Sequence, residues 1–313
     1  MDLTTTGDIL RVRSWDDFRG QATLKSRLEV NIQSALSRRQ MLDHVFLAAP
    51  PGYGKTSLAS IIASRLGDEF MSLKMPIRKK DFVHSTIQWQ GGVLLLDEIH
   101  AAPRAFQEFL LPAIEDGYIQ LDTGETLSTS HITIIAATTE PGSVIKPLRE
   151  RFLIVPRFTD YADEEMGEIL RGMMSHVGVD LDTETTTKLG LAAAGTPRIA
   201  GALTLAARDL SISNLPVTLE SILAQTGMDP DGLSEQQIEY LHTLHELQGT
   251  AGLRNICSLL QIPIGDIEEL ERLLVRRGFI RLNPSGRTLT AAGHRKCKIG
   301  VTSPRTLQGA HLD

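Results

Sequence analysis

Ala49-Pro50-Pro51-Gly52-Tyr53-Gly54-Lys55-Thr56 follows directly on the apolar run Val45-Phe46-Leu47-Ala48. A glycine-rich turn between a strand and a helix points backbone N–H groups, at a helix N-terminus, toward phosphate oxygens. Gly52 and Gly54 permit the turn, Lys55 reaches the β- and γ-phosphates, and the Thr56 hydroxyl can hold Mg²⁺. Such loops ordinarily begin with glycine, whereas this one begins with Ala49. The residues nearest the phosphates are nevertheless intact. By itself the loop implies only nucleoside triphosphate binding.

Two further apolar runs extend the pattern. Val93-Leu94-Leu95-Leu96 ends at Asp97-Glu98, and Ile132-Thr133-Ile134-Ile135-Ala136-Ala137 ends at Thr138-Thr139. Continuous apolar runs capped by polar residues predict buried parallel strands, with the ligand site at their carboxyl ends. The expected fold is therefore α/β. Asp97 is placed to hold the Mg²⁺ shell, and Glu98 to polarise the attacking water. Thr138 or Thr139 would read the γ-phosphate, with Thr139 the choice, although a threonine pair in a strand is ordinarily only β-propensity. Arg149 and Arg151, in Pro147-Leu148-Arg149-Glu150-Arg151-Phe152, can serve a neighbouring subunit's γ-phosphate, which demands a ring or filament. Arg198, beside the helix start Thr196-Pro197, can close over the phosphates from a second domain.

The composition agrees with this reading and limits it. The 313 residues are 42% hydrophobic and 22% charged, and the formal net charge is 32 − 38 = −6. Any nucleic-acid contact must then come from a local basic patch. Only Cys257 and Cys297 occur, so neither a disulfide framework nor a cysteine zinc site is expected, and a reducing cytoplasmic compartment fits. The first residues lack the pattern of a signal peptide, and no run is apolar enough to span a bilayer. No internal repeat is present.

The expected organisation is an ATPase domain over 1–158, a helical lid over 159–227, a third domain over 228–298 and a tail over 299–313. The third domain shows three helical patterns, then Phe279-Ile280-Arg281-Leu282, a turn at Asn283-Pro284-Ser285-Gly286, and Arg287-Thr288-Leu289-Thr290. Three helices and a hairpin describe a winged helix. Residues 118–127 predict a shorter hairpin between the last two strands of the ATPase domain.

The ordered set Gly20-Gln21, the phosphate loop, Leu96-Asp97-Glu98-Ile99-His100, Ala137-Thr138-Thr139, 147–152 and Gly195-Thr196-Pro197-Arg198-Ile199-Ala200 resembles the RuvB family. Its members are hexameric AAA+ motors of Holliday junction branch migration, and the resemblance spans about residues 10 to 295. It implies a P-loop parallel-sheet domain, a helical lid and a C-terminal winged helix. It also implies ATP contacts at Leu10, Arg11, Gly52, Lys55, Thr56, Ser57, Tyr161 and Arg198, and Arg151 as the better of the two trans-acting arginines. The family touches ATP through Glu-Asp-aromatic; Glu115 and Asp116 match, but Gly117 replaces the aromatic. The hairpin around Thr123-Gly124 is shorter than the one with which the family grips its junction-binding partner RuvA, and the region between Phe70 and Trp89 is abbreviated. A different adaptor or none is expected, as in a phage-encoded or divergent member.

Residues 272–298 contain eight Lys/Arg (Arg272, Arg276, Arg277, Arg281, Arg287, Arg295, Lys296, Lys298) and no Asp or Glu. The remainder of the chain therefore carries −6 − 8 = −14. A segregated positive wing is what a polyanion such as DNA binds, because neutralising phosphates releases counterions. The helix expected over 264–277 begins with Asp266, Glu268, Glu269 and Glu271, which suit its dipole but would repel phosphates from that end. Backbone contact through the wing is therefore expected, with Arg287 first and Arg281 second. The family has an arginine at the position of Leu282, so only Arg287 carries over directly. His100 is read as structural or coupling, Trp15 and Trp89 as packing, and His242 and His245 as too few for a metal site. Two other readings use the same motifs: a clamp-loader or initiator ATPase assembling on DNA, and an ATP-gated DNA-binding adaptor with little turnover.

Overall fold

The computed structural model describes residues 12, 14–121, 123–284 and 286–299. Leu10 and Arg11, expected to touch ATP, lie outside the described residues, as do the tail from 300 onward and Asp122 of the hairpin turn. The chain divides into two compact units at 216/217.

The first unit is built on a four-stranded parallel sheet in the order β1-β6-β3-β2, from β1 (Val45–Ala48), β2 (Phe70–Lys74), β3 (Gly92–Asp97) and β6 (Ile132–Thr138). Single bridges from Val45 to Ile154 and from Ala48 to Arg157 extend it beyond β1. Side-chain alternation explains why the strands read as unbroken apolar runs. Val45, Leu47, Val93, Leu95, Ile135 and Ala137 enter one core, packed with helices α1 (Ala22–Arg38) and α2 (Lys55–Leu66). Phe46, Leu94, Leu96, Ile134 and Ala136 enter the other. That second core is completed by α3 (Lys79–Ile87), α4 (Arg104–Phe109), α5 (Leu111–Glu115) and α6 (Lys146–Arg149). With both faces covered, each buried Leu or Ile contributes about 1.5–3 kcal/mol, and no polar alternation is left to see. The expected hairpin forms from β4 (Tyr118–Gln120) and β5 (Thr126–Ser128), antiparallel and three residues to a strand.

The lid helices follow in the same unit: α7 (Asp163–His176), α8 (Thr183–Ala192) and α9 (Pro197–Ile212). Helices α7 and α8 cross closely because Gly190 has no side chain; a Cβ there would stand 2.9 Å from the Gly167 nitrogen. Thr196 occupies the N-cap position of α9, but its hydroxyl does not cap; Pro197 alone marks the start.

The second unit holds α10 (Leu219–Thr226), which falls within the 159–227 lid expected from the sequence. It continues with α11 (Glu235–Glu246), β7 (Thr250–Ala251), α12 (Leu253–Leu260), α13 (Ile264–Arg276), β8 (Ile280–Asn283), β9 (Gly286–Leu289) and α14 (Ala291–Ile299). The sheet β7-β9-β8 is antiparallel and makes the wing, with Leu282 opposite Arg287. Of Ile267, Leu270 and Leu274, whose helical spacing in α13 predicts core, Ile267 and Leu274 are fully buried and Leu270 is half-buried. The short β7 and the closing helix α14 have no counterpart in the sequence reading.

Candidate functional site

The phosphate loop leaves β1 at its carboxyl end and turns through Gly52 (φ 80°) and Gly54 (φ 88°), left-handed conformations that suit glycine. Gly54 is the N-cap of α2 and Lys55 its first residue, so the helix N-terminus faces the loop. Lys55 is buried, and its ammonium donates to the carbonyls of Ala49 (2.8 Å) and Pro50 (3.2 Å). Ser57 follows on the first turn of α2, half-buried.

The acids at the end of β3 meet this loop. Thr56 Oγ1 donates to Asp97 Oδ2 at 3.2 Å, bringing together residues 41 positions apart. A hydroxyl and a carboxylate in contact are the hard oxygen donors that Mg²⁺ takes, so this pair fits the ion. Glu98 adopts φ 53°, an uncommon conformation for a side chain of its size. Its carboxylate accepts from Thr139 Oγ1 at 3.3 Å and lies 3.2 Å from His100 Nδ1. His100 Nδ1 is also 3.0 Å from Thr138 Oγ1. The two threonines therefore divide: Thr139 touches the proposed base directly, and Thr138 contacts His100, which lies against that base.

The lid reaches this centre through Arg198 and Tyr161, both named from the sequence, and through Asp160, which was not. A Cβ on Gly52 would stand 2.7 Å from Arg198 Cβ, so α9 begins against the phosphate loop with the Arg198 side chain exposed. Tyr53 Oη donates to Asp160 Oδ1 at 2.6 Å, and Tyr161 Oη donates to the Tyr53 carbonyl at 3.3 Å. Burial pushes the Tyr161 phenol well above its ordinary pKa, so it remains a neutral donor. Gln21, itself at φ 53°, grips Thr159 in both directions: its amide donates to the Thr159 carbonyl (2.7 Å), and its oxygen accepts from the Thr159 N–H (3.0 Å). The Gly20-Gln21 pair was visible in the sequence; the Tyr53–Asp160 bond left no signal there.

Arg151 and Glu115 also come together. Arg151 Nε donates to Glu115 Oε2 at 2.5 Å and its Nη1 to the Pro147 carbonyl at 2.8 Å. Arg149 is half-buried, and its Nε has no hydrogen-bond partner. Asp116 caps the end of α5 beside Glu115.

Residues 10–158 match the family model described as the Holliday junction DNA helicase RuvB P-loop domain, and 230–298 match the RuvB C-terminal winged helix domain. The chain belongs to the RuvB family. It is 34% identical over 308 residues to the Holliday junction branch migration complex subunit RuvB of Kosmotoga olearia, covering 93% of this chain and 90% of that protein. The structure of the Thermotoga maritima RuvB Holliday junction branch migration motor superposes with a TM-score of 0.80 at 32% identity, covering 93% of this chain and 98% of that one. A mutant form of the same Thermotoga protein gives 0.81 at 32% identity, with 94% and 99% covered.

The wing requires a correction. Arg287, first choice for a phosphate contact, turns inward: Nε and Nη2 donate to the two carboxylate oxygens of Glu271 at 2.7 and 3.0 Å. Glu271 is itself only 2% exposed and accepts a further bond from Tyr240 Oη at 2.6 Å. The Glu271 hydrogen bond raises the Arg287 pKa, and burial with Glu271 drives the Tyr240 phenol far up. Lys296 is likewise held by Asp229 at 2.5 Å and by Asp231. Burial opposes its charge, but the two carboxylates win and its pKa rises. Counting cations along the sequence could not reveal this, because their neutralising acids lie at least 16 residues away. Arg281, on a strand whose last three residues are all exposed, becomes the better wing candidate.

The remaining expectations are simpler. Trp15 packs against the first core, with Lys25 and Arg65 near its ring at 5.7 and 5.8 Å, and Trp89 packs against the second. No group of three or more metal-ligating side chains occurs among the described residues; His245 instead pairs with His294.

Proposed function

We propose that this chain is an ATP-hydrolysing motor that drives branch migration of four-way DNA junctions as a homo-oligomeric ring, a hexamer. The observation that carries the reading is the Thr56–Asp97 contact with Glu98 next in sequence at the carboxyl end of the sheet. Lys55 exchanges its carbonyl partners for the β- and γ-phosphates of ATP. Thr56 and Asp97 would hold Mg²⁺, which when bound would offset charge on the phosphoryl oxygens. Glu98 accepts the proton of the attacking water, and Thr139 holds its carboxylate in line. Arg198 reports the phosphate state to the lid, and Arg151 leaves Glu115 to serve the phosphates bound by the adjacent subunit. Arg281 contacts the DNA backbone.

The hairpin supports a different adaptor from RuvA, or none. Ile119 is buried in the domain, while Gln120, Thr126 and Ser128 are exposed, leaving Tyr118 as its large apolar surface group. No helix among the described residues is long and apolar enough to cross a membrane.

ATPase assayed with single strand, linear duplex and synthetic four-way junction, alongside junction branch migration, tests the reading. Junction-stimulated turnover with strand exchange is expected. Turnover without branch migration would favour a loader, and negligible turnover an adaptor. Host RuvA that co-purifies and activates the ATPase would sink the adaptor claim.

A further inference from the structure

The wing is less positive than its composition suggests, and a second basic segment has no assigned role. Between β2 and α3 the chain reads Lys74-Met75-Pro76-Ile77-Arg78-Lys79-Lys80, four cations and no acid in a protein of net charge −6. Met75 is buried in the second core and Ile77 packs against it. Those two apolar anchors fix the segment while Lys74, Arg78 and Lys80 stand exposed. Lys79 lies with its ammonium 4.5 Å from the Phe109 ring centroid, so its stem is also held down. A freely solvated lysine run would need no such anchoring.

Position adds the second argument. In the parallel sheet Lys74 is the register partner of Asp97, and the Met75 N–H donates to the Asp97 carbonyl at 2.9 Å. The basic segment therefore leaves the sheet at the same end as the phosphate loop, on the strand beside the one that carries the proposed Mg²⁺ ligand Asp97. The nearest acid following it, Asp81, pairs with Arg78 at 2.5 Å on the open surface. An exposed pair of this kind is worth little and yields readily to a phosphate.

We propose that residues 74–80 form a phosphodiester-backbone contact of the ATPase unit itself, separate from the wing. This contact also links DNA occupancy to hydrolysis through the shared β2–β3 register. It rests on the DNA-motor reading given above and specifies a surface within it.

The test is the double variant Arg78→Gln/Lys80→Gln in the full chain, measured by duplex binding across a salt series and by ATPase with and without DNA. Each lost phosphate contact should flatten the log K against log salt slope by about 1. Half-maximal ATPase stimulation should then need several-fold more DNA, with DNA-free ATPase unchanged. Asp81→Asn, which frees Arg78, should shift binding the other way; a merely damaged fold would not. Unchanged slope and stimulation in the double variant, with wild-type protein still binding DNA, overturns this proposal alone. Wild-type protein that neither binds DNA nor responds to it removes the motor reading as well.

Discussion

Lys55 and Arg287 are both largely buried cations, yet they are held in opposite ways. Lys55 rests on two backbone carbonyls, partial dipoles that it can exchange for phosphate oxygens with a net gain in charge pairing. Arg287 is clamped through two bonds by a full carboxylate that is itself out of water. Freeing Arg287 would strand the charge of Glu271, a cost of several kcal/mol. A carbonyl partner can be exchanged for a ligand's oxygen; a buried carboxylate partner makes the cation part of the fold. The phosphate loop is thus suited to an anion, while the winged-helix unit has committed Arg287 and Lys296 to its own carboxylates.

The largest expected effect sharpens the nucleotide side of this contrast. Glu98→Gln should still bind ATP but lose about 10²–10⁴-fold in steady-state turnover; near-normal turnover would place the base elsewhere. Next comes a direct attempt to break the contrast. Arg287→Ala should destabilise the winged-helix unit by about 3–5 kcal/mol in denaturant unfolding. A stable variant with a flatter salt slope for DNA binding would return Arg287 to the phosphate role. Smaller still, Arg281→Ala should leave stability within about 0.5 kcal/mol and flatten that slope by about 1. An unchanged slope would leave the wing without its backbone contact.

The smallest effect is a pH dependence in the ATPase unit. His44 Nδ1 accepts the Ile134 N–H at 2.9 Å, and burial lowers its pKa below the ordinary 6.5. A depressed folded-state pKa means that the unfolded chain takes up the proton more readily. The stabilisation is therefore complete above about 6.5 and is lost as pH falls through the folded value. Unfolding midpoints between pH 7.5 and 5 should fall less in His44→Gln than in the parent; equal slopes would show that another group dominates.

Legibility differed between the two units for a physical reason. In the ATPase unit, phosphate chemistry requires backbone N–H groups, a lysine and a hydroxyl within a few consecutive residues, so the loop at 49–56 could be read in one line. Three of the four strands were equally plain, since burial on both faces leaves an unbroken apolar run; β2, half-exposed along Phe70–Lys74, carries no such run and was missed. Glu98 and Thr139 could be named because each stands at a strand end. Their mutual contact, with His100 between Glu98 and Thr138, needed the parallel register of β3 and β6. In the winged-helix unit the hairpin turn was visible, but β7 contributes only two residues and shows no period.

The sequence alone therefore determined the phosphate loop, three of the four sheet strands and the three-helix-plus-hairpin pattern, because each is a local arrangement with a short repeat. Only the tertiary structure decided which cations remain available. Coulomb pairing depends on distance in space, and Glu271, Asp229 and Asp231 reach Arg287 and Lys296 from elsewhere in the chain. The same principle exposes residues 74–80: the sequence shows their charge, but only the buried Met75 and the β2–β3 register turn it into a fixed surface beside the hydrolysis site.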